Sequence, residues 1–213
     1  MAKLNSPRRH AMNNVTMPAE SHLNSLEHET MKPFALAVLA FSLITTAANA
    51  QLPDFPAPSE EHKWLEQFAG EWVTVSKTAE FGDQPSMEHK GAMTSEMLGG
   101  FWAVNRFQGN TGGIEFKALQ TIGYDAARKK YVGTWIDSML DQLWNYEGEL
   151  DESGKTLVLT AEGPNFFDGG KLTEFRDSYE FKSADLIITT SEIKGPDGKW
   201  FTFMTGEMTR AKE

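Results

Sequence analysis

Residues Gly123 to Leu150 read Gly-Tyr-Asp-Ala-Ala-Arg-Lys-Lys-Tyr-Val-Gly-Thr-Trp-Ile-Asp-Ser-Met-Leu-Asp-Gln-Leu-Trp-Asn-Tyr-Glu-Gly-Glu-Leu. From Tyr131 to Ser138 the side chains alternate, with Val132, Thr134, Ile136 and Ser138 on one face and Tyr131, Gly133, Trp135 and Asp137 on the other. Leu143 to Leu150 alternates in the same way and collects Trp144, Tyr146, Gly148 and Leu150 on one face. Two aromatic-rich strands joined by Met139 to Gln142 make a β-hairpin. This pattern decides the fold class and carries no chemistry of its own.

Outward from the hairpin the same period recurs. Strands are expected at Glu71 to Thr78, Met87 to Leu98, Phe101 to Gln108, Ile114 to Tyr124, Lys130 to Ser138, Leu143 to Leu150, Thr156 to Glu162, Leu172 to Phe181, Leu186 to Ile193 and Trp200 to Thr209. Turn chemistry separates most of them: Gly82-Asp83, Gly99-Gly100, Gly112-Gly113, Asp151 to Gly154, Gly163-Pro164, Gly169-Gly170 and Pro196-Asp197-Gly198. Before them, Ser59 followed by Glu60, Glu61 and His62 reads as a capped helix start, with Trp64, Leu65 and Phe68 on one side and an end near Gly70. An open sheet of this length would leave two adhesive edges. The expectation is therefore an all-β fold, an antiparallel up-and-down barrel of about 8–10 strands with a short N-terminal helix.

The first 50 of the 213 residues are set apart. Lys32, the apolar run Phe34 to Ile44 and the small-residue end Ala48-Asn49-Ala50 form a secretory signal peptide, Met31 to Ala50. Residues 1–30 then read as an upstream stretch ahead of the true start at Met31, or as a disordered leader. The apolar run falls short of the ~20 residues that span a bilayer, so no stable membrane insertion is expected after cleavage. Residues 51–58, with Pro53, Pro56 and Pro58, form an extended arm, and residues 59–213 the single barrel domain. The expected location is periplasmic or secreted.

Four of the 20 basic and three of the 30 acidic residues precede Gln51, leaving 16 against 27 and a formal charge of about −11 on ordinary ionisation states. Such a surface repels phosphate backbones, and no nucleic-acid partner is expected. The absence of cysteine removes lipoprotein acylation, thiolate catalysis and thiolate metal sites.

The chain from about Glu61 to Arg210 resembles the bacterial domain of unknown function 1579 family. The residues that carry the resemblance are Gly70-Glu71-Trp72, Leu98-Gly99-Gly100-Phe101-Trp102, Gly123-Tyr124-Asp125, Tyr131 through Ser138, Trp144-Asn145-Tyr146-Glu147-Gly148, Arg176-Asp177 and Met204. What it implies is a lipocalin-like or fatty-acid-binding-protein-like barrel without an established activity. The architecture is more distantly similar to nitrobindin-type barrels, which hold haem through a histidine. After Ala50 this chain has only His62 and His89, and its last strand has none, so no cofactor is expected.

Charged residues on apolar strands are the candidate site. Arg106 shares a face with Trp102 and Val104; Asp177 shares one with Phe175, Tyr179 and Phe181; Asp137 lies with Trp135 and Tyr131. A charge turned inward must find a partner or a ligand, because an unpaired buried charge costs several kcal/mol, roughly. The functional reading makes Arg106 or Arg176 an anchor for the carboxylate of a small hydrophobic or amphipathic ligand, in a pocket of Trp102, Trp135, Asp137, Trp144, Tyr146, Asp177 and Met204. The structural reading makes these residues ion pairs and ordinary core aromatics. Neither a catalytic residue nor a metal ligand is assigned. An enzyme would bring Asp137, Asp177 and Arg106 together in a wet cleft, whereas a structural or interaction protein would have a filled barrel.

Overall fold

The computed structural model describes residues 54–80, 85–165 and 168–212. The expected leader and signal peptide, residues 51–53 of the arm and the Gly82-Asp83 turn lie outside them. Helix α1 (Glu60–Trp64) starts at Ser59, whose Oγ donates to Glu61 Oε2 at 2.6 Å. The Ser59 backbone N–H donates to His62 Nδ1 at 3.0 Å, so His62 plays the part that a glutamate usually plays in a capping box. A 3₁₀ turn (Leu65–Phe68) follows, and Gly70, at a φ of 123° that side chains disfavour, turns the chain into the sheet.

Ten strands then run up and down: β1 (Gly70–Thr78), β2 (Glu88–Leu98), β3 (Trp102–Thr111), β4 (Ile114–Asp125), β5 (Lys130–Asp137), β6 (Trp144–Leu150), β7 (Thr156–Pro164), β8 (Leu172–Ser183), β9 (Leu186–Lys194) and β10 (Trp200–Arg210). Each pairs antiparallel with the next, and β10 closes on β1 from Trp72↔Arg210 to Thr78↔Met204. Closure leaves no strand edge to cap. Glycines on the inner face let the wall bend. A Cβ at Gly133 would sit 2.0 Å from Thr121 O, and one at Gly148 would sit 1.9 Å from Val158 O.

The two ends of the barrel differ. At the end where β1 begins, α1 and the 3₁₀ turn plug the bore: Leu65 and Phe68 join Trp72, Ile122, Leu157 and Ile187 at 0–1% exposure. Burying each such side chain stabilises the fold by about 1.5–3 kcal/mol. Trp72 Nε1 donates to Phe68 O at 2.8 Å, and Trp64 Nε1 donates to Gly154 O at 3.0 Å. Arg210 closes the plug from the last strand, lying 4.2 Å over the Trp72 ring and donating to Ala69 O and Ala184 O. At the opposite end the inward positions His89, Phe107, Phe116, Trp135, Asp137, Phe203 and Met204 remain half-buried. No helix among the described residues is long and apolar enough to cross a membrane.

Candidate functional site

Midway down the bore a polar layer replaces hydrocarbon. Ser95 Oγ donates to Asn105 Oδ1 at 2.6 Å, Asn105 Nδ2 to Gln120 Oε1 at 2.9 Å, and Gln120 Nε2 to the Tyr179 hydroxyl at 2.8 Å. These groups sit on inward positions of β2, β3, β4 and β8, and Asn105 and Gln120 are fully buried. A buried amide without partners would cost free energy comparable to a lost hydrogen bond, and here each amide hands on to the next. Burial raises the Tyr179 hydroxyl well above ordinary phenol, with the nearby Asp177 charge adding to the effect.

Beside this relay, towards the open end, stands Asp177. Its Oδ2 accepts from the Tyr146 hydroxyl at 2.5 Å and its Oδ1 from Ser191 Oγ at 2.6 Å. Burial pushes the carboxyl up, and the Ser191 and Tyr146 donors pull it part of the way back. Tyr146 is raised well above its ordinary value, first by burial and then by the Asp177 charge, with a smaller push from Asp137. Among the described residues no Lys, Arg or His forms an ion pair with Asp177.

Aromatic rings line the wall above. Trp144, 8% exposed, meets Phe175 edge-on at 4.9 Å, and Phe175 meets Phe203 at 6.2 Å. Trp135 lies 5.2 Å from Phe107 and 6.3 Å from Phe116. Its indole N–H donates to Asp137 Oδ2 at 2.9 Å, while Asp137 Oδ1 accepts the backbone N–H groups of Met139 and Leu140. Asp137 therefore orients a ring and folds the β5–β6 loop at once. Met204 stands opposite Ser191 and Thr78 at a β-bulge in β10.

Two of the expected site residues are elsewhere. Arg106 is on the outer face of β3, with Glu96 at 3.7 Å, and cannot reach a ligand in the bore. Trp102, 39% exposed, shares that face and covers Gly123, where a Cβ would come within 2.4 Å of the indole. The pairing of Arg106 with a large aromatic suggested an inner face; the indole is outside because Gly123 leaves a place for it. Arg176 is also external, paired with Glu192 at 2.6 Å under the Trp200 ring, so neither arginine anchors a carboxylate inside. With Arg106 on the far side of the wall, Asp137, Asp177 and Arg106 do not form one constellation.

Trp135, Asp137, Trp144, Tyr146, Asp177 and Met204 do face the bore. Ser95, Asn105, Gln120 and Ser191 are not among the expected site residues, and Tyr179 was named only as sharing the face of Asp177. A signal for two of them was present, since Asn105 alternates with Ala103 and Phe107, and Gln120 with Ala118 and Ile122.

The distant likeness to nitrobindin-type barrels turns on the two histidines after Ala50. His62 is buried in the plug against Phe101 and Tyr124, and its Nδ1 is taken by Ser59. His89 lies on β2 in register with Ser76, and β10 has no histidine, so the last-strand ligand of a nitrobindin-type site has no counterpart. Among the described residues there is no group of three or more His, Asp or Glu able to hold a metal ion.

Comparison with known proteins agrees with this architecture. None of the curated proteins matches the chain in sequence. Among solved structures, Rv2717c from M. tuberculosis is similar, with 9% identity, 73% of this chain and 100% of that chain covered, and a TM-score of 0.54. The S-type phycobiliprotein lyase CPES from Guillardia theta matches with 16% identity over 71% of this chain and 93% of that chain, at a TM-score of 0.47. A redesigned beta barrel, mFAP0, bound to DFHBI, matches with 11% identity over 68% of this chain and 99% of that chain, at a TM-score of 0.39. At such identities the Rv2717c match supports the fold alone. Residues 57–210 match the family model described as "Protein of unknown function (DUF1579)", and the chain belongs to that family.

Proposed function

We propose that this DUF1579 barrel is exported through its signal peptide, Met31 to Ala50, and holds a small hydrophobic or amphipathic molecule in the open half of its bore. The observation that carries the reading is the contrast between the two ends. The helix end is packed to 0–1% exposure, whereas Phe107, Phe116, Trp135, Phe203 and Met204 around the other end stay half-buried above the polar floor of Tyr146, Asp177 and Ser191. Half-buried aromatic side chains beside a few convergent polar groups are the usual lining of a small-molecule site. Ten strands also give a wider bore than the eight that side chains alone can fill.

Native mass spectrometry of protein purified gently from its own periplasm or medium tests both parts. Expected are a chain beginning at Gln51 and a discrete non-covalent adduct. A mature mass without an adduct, combined with no uptake of any hydrophobic probe, overturns the carrier reading. A chain that retains Phe34 to Ile44 overturns the export reading.

A further inference from the structure

Resting on that carrier reading, we infer that the molecule held in the bore is cationic: a protonated amine on a flat or extended hydrophobic body, with its nitrogen directed at Asp177. The argument begins with a census of charge on the inner wall. Around the open half, the inward positions include Thr74, Ser76 and Thr78 on β1, His89 on β2, Phe107 on β3, Phe116 on β4, Trp135 and Asp137 on β5, Trp144 and Tyr146 on β6, Phe175 and Asp177 on β8, Ser191 on β9, and Phe203 and Met204 on β10. Two carboxylates are among them, and no lysine or arginine is. Apart from Arg210 at the plug, the lysines and arginines of these strands are all outside: Lys77, Lys90, Arg106 and Lys117 are exposed, Lys130 pairs with Glu149, Arg176 with Glu192, Lys182 with Glu180 and Lys194 with Glu174, which leaves His89 as the one basic side chain among these inward positions.

Asp137 is already satisfied by an indole N–H and two backbone N–H groups. Asp177 is different. Its oxygens take one hydroxyl each, from Tyr146 and Ser191, and a carboxylate has about four acceptor sites, so positions remain for a further donor. Among the described residues no Lys, Arg or His forms an ion pair with it, and an ammonium ion would supply the missing counter-charge. The rings around it suit the same guest. On the same inner face, Phe175 lies two residues from Asp177 and Trp144 two residues from Tyr146, and aromatic faces attract cations. A carboxylate ligand, by contrast, would meet two like charges and no lysine or arginine.

The test is a matched trio of probes on the mature wild-type protein: 1-naphthylmethylamine, 1-naphthalenemethanol and 1-naphthoate, titrated by calorimetry at neutral pH. The amine is expected to bind at least about tenfold more tightly than the alcohol, with the anion weakest. In Asp177→Asn the preference for the amine over the alcohol should fall to within about threefold. Arg106→Ala, outside the wall, should leave the order unchanged. Equal binding of amine and alcohol, or preferential binding of naphthoate, overturns the cationic assignment and leaves the carrier reading standing. No binding of any of the three, with no adduct on the native protein, removes both. Because the ranking is read on the wild type, it holds even if Asp177→Asn does not fold.

Discussion

At the scale of single residues, Asp177 and Tyr146 make the sharpest predictions. The Asp177 carboxyl is raised by burial above its unfolded value of about 3.9. The folded state therefore holds the proton more firmly than the unfolded one, and stability contributed at this position falls as pH rises from about 4 through the folded value. Asp177→Asn lacks this dependence, so the melting temperature of wild type minus that of the variant should be larger at pH 4 than at pH 7; differential scanning fluorimetry at the two values checks it. Tyr146→Phe removes the O–H that Asp177 Oδ2 accepts and should cost about 1–3 kcal/mol in urea titration, since the acceptor is left without its partner. Aromatic and acidic identities on strands were legible in the sequence, and so was the grouping of Trp135 with Asp137 and of Trp144 with Tyr146 on shared faces, but not which face is inside. Nor was the side of Arg106. Alternation sorts residues into two sets without saying which set is inside, and on β3 the outer set holds the tryptophan while the inner one holds Ala103 and Asn105.

At the scale of elements, all ten strands and the capped helix could be read from period and turn residues, because a barrel wall is built from local hairpins; the exception is Gly163-Pro164, expected as a turn, which instead ends β7 and pairs with Thr173 and Leu172. What could not be read is how sharply the strands bend. Gly133 looks like any small residue in an alternating run, yet a Cβ there meets the carbonyl oxygen of Thr121, and backbone cannot rotate away. At Gly163 the obstacle is the Trp144 ring, 2.1 Å from the same imagined atom, which can swing into the bore. Gly133→Ala should therefore cost about 1–3 kcal/mol or more as overpacking. Gly163→Ala should cost less while shifting the tryptophan fluorescence. Urea titration followed by fluorescence separates the two, and equal costs with unchanged emission would contradict this account. The polar relay from Ser95 to Tyr179 was hidden for a related reason. Ser95, Asn105 and Gln120 stand opposite one another only once the register of the β2–β3 and β3–β4 hairpins is set, and Tyr179, 59 residues beyond Gln120, joins them only across the closed barrel.

At the scale of the whole molecule, every strand is hydrogen-bonded on both sides, and β10 returns to β1. A ring of this kind has no terminal strand to peel off first. Far-UV and near-UV circular dichroism should report one coincident urea transition for residues 51–213, and separated midpoints would show that the open half loosens before the plugged half. The plug also decides where the chain enters and leaves. Pro58 packs on the turn at Gly100, and Ala211 donates to Glu71 O, so both ends of the domain emerge beside the helix, away from the mouth. A biosensor chemist can therefore immobilise the protein by either terminus and leave the opening facing the flowing buffer. The three naphthyl probes should give the same affinities in both orientations.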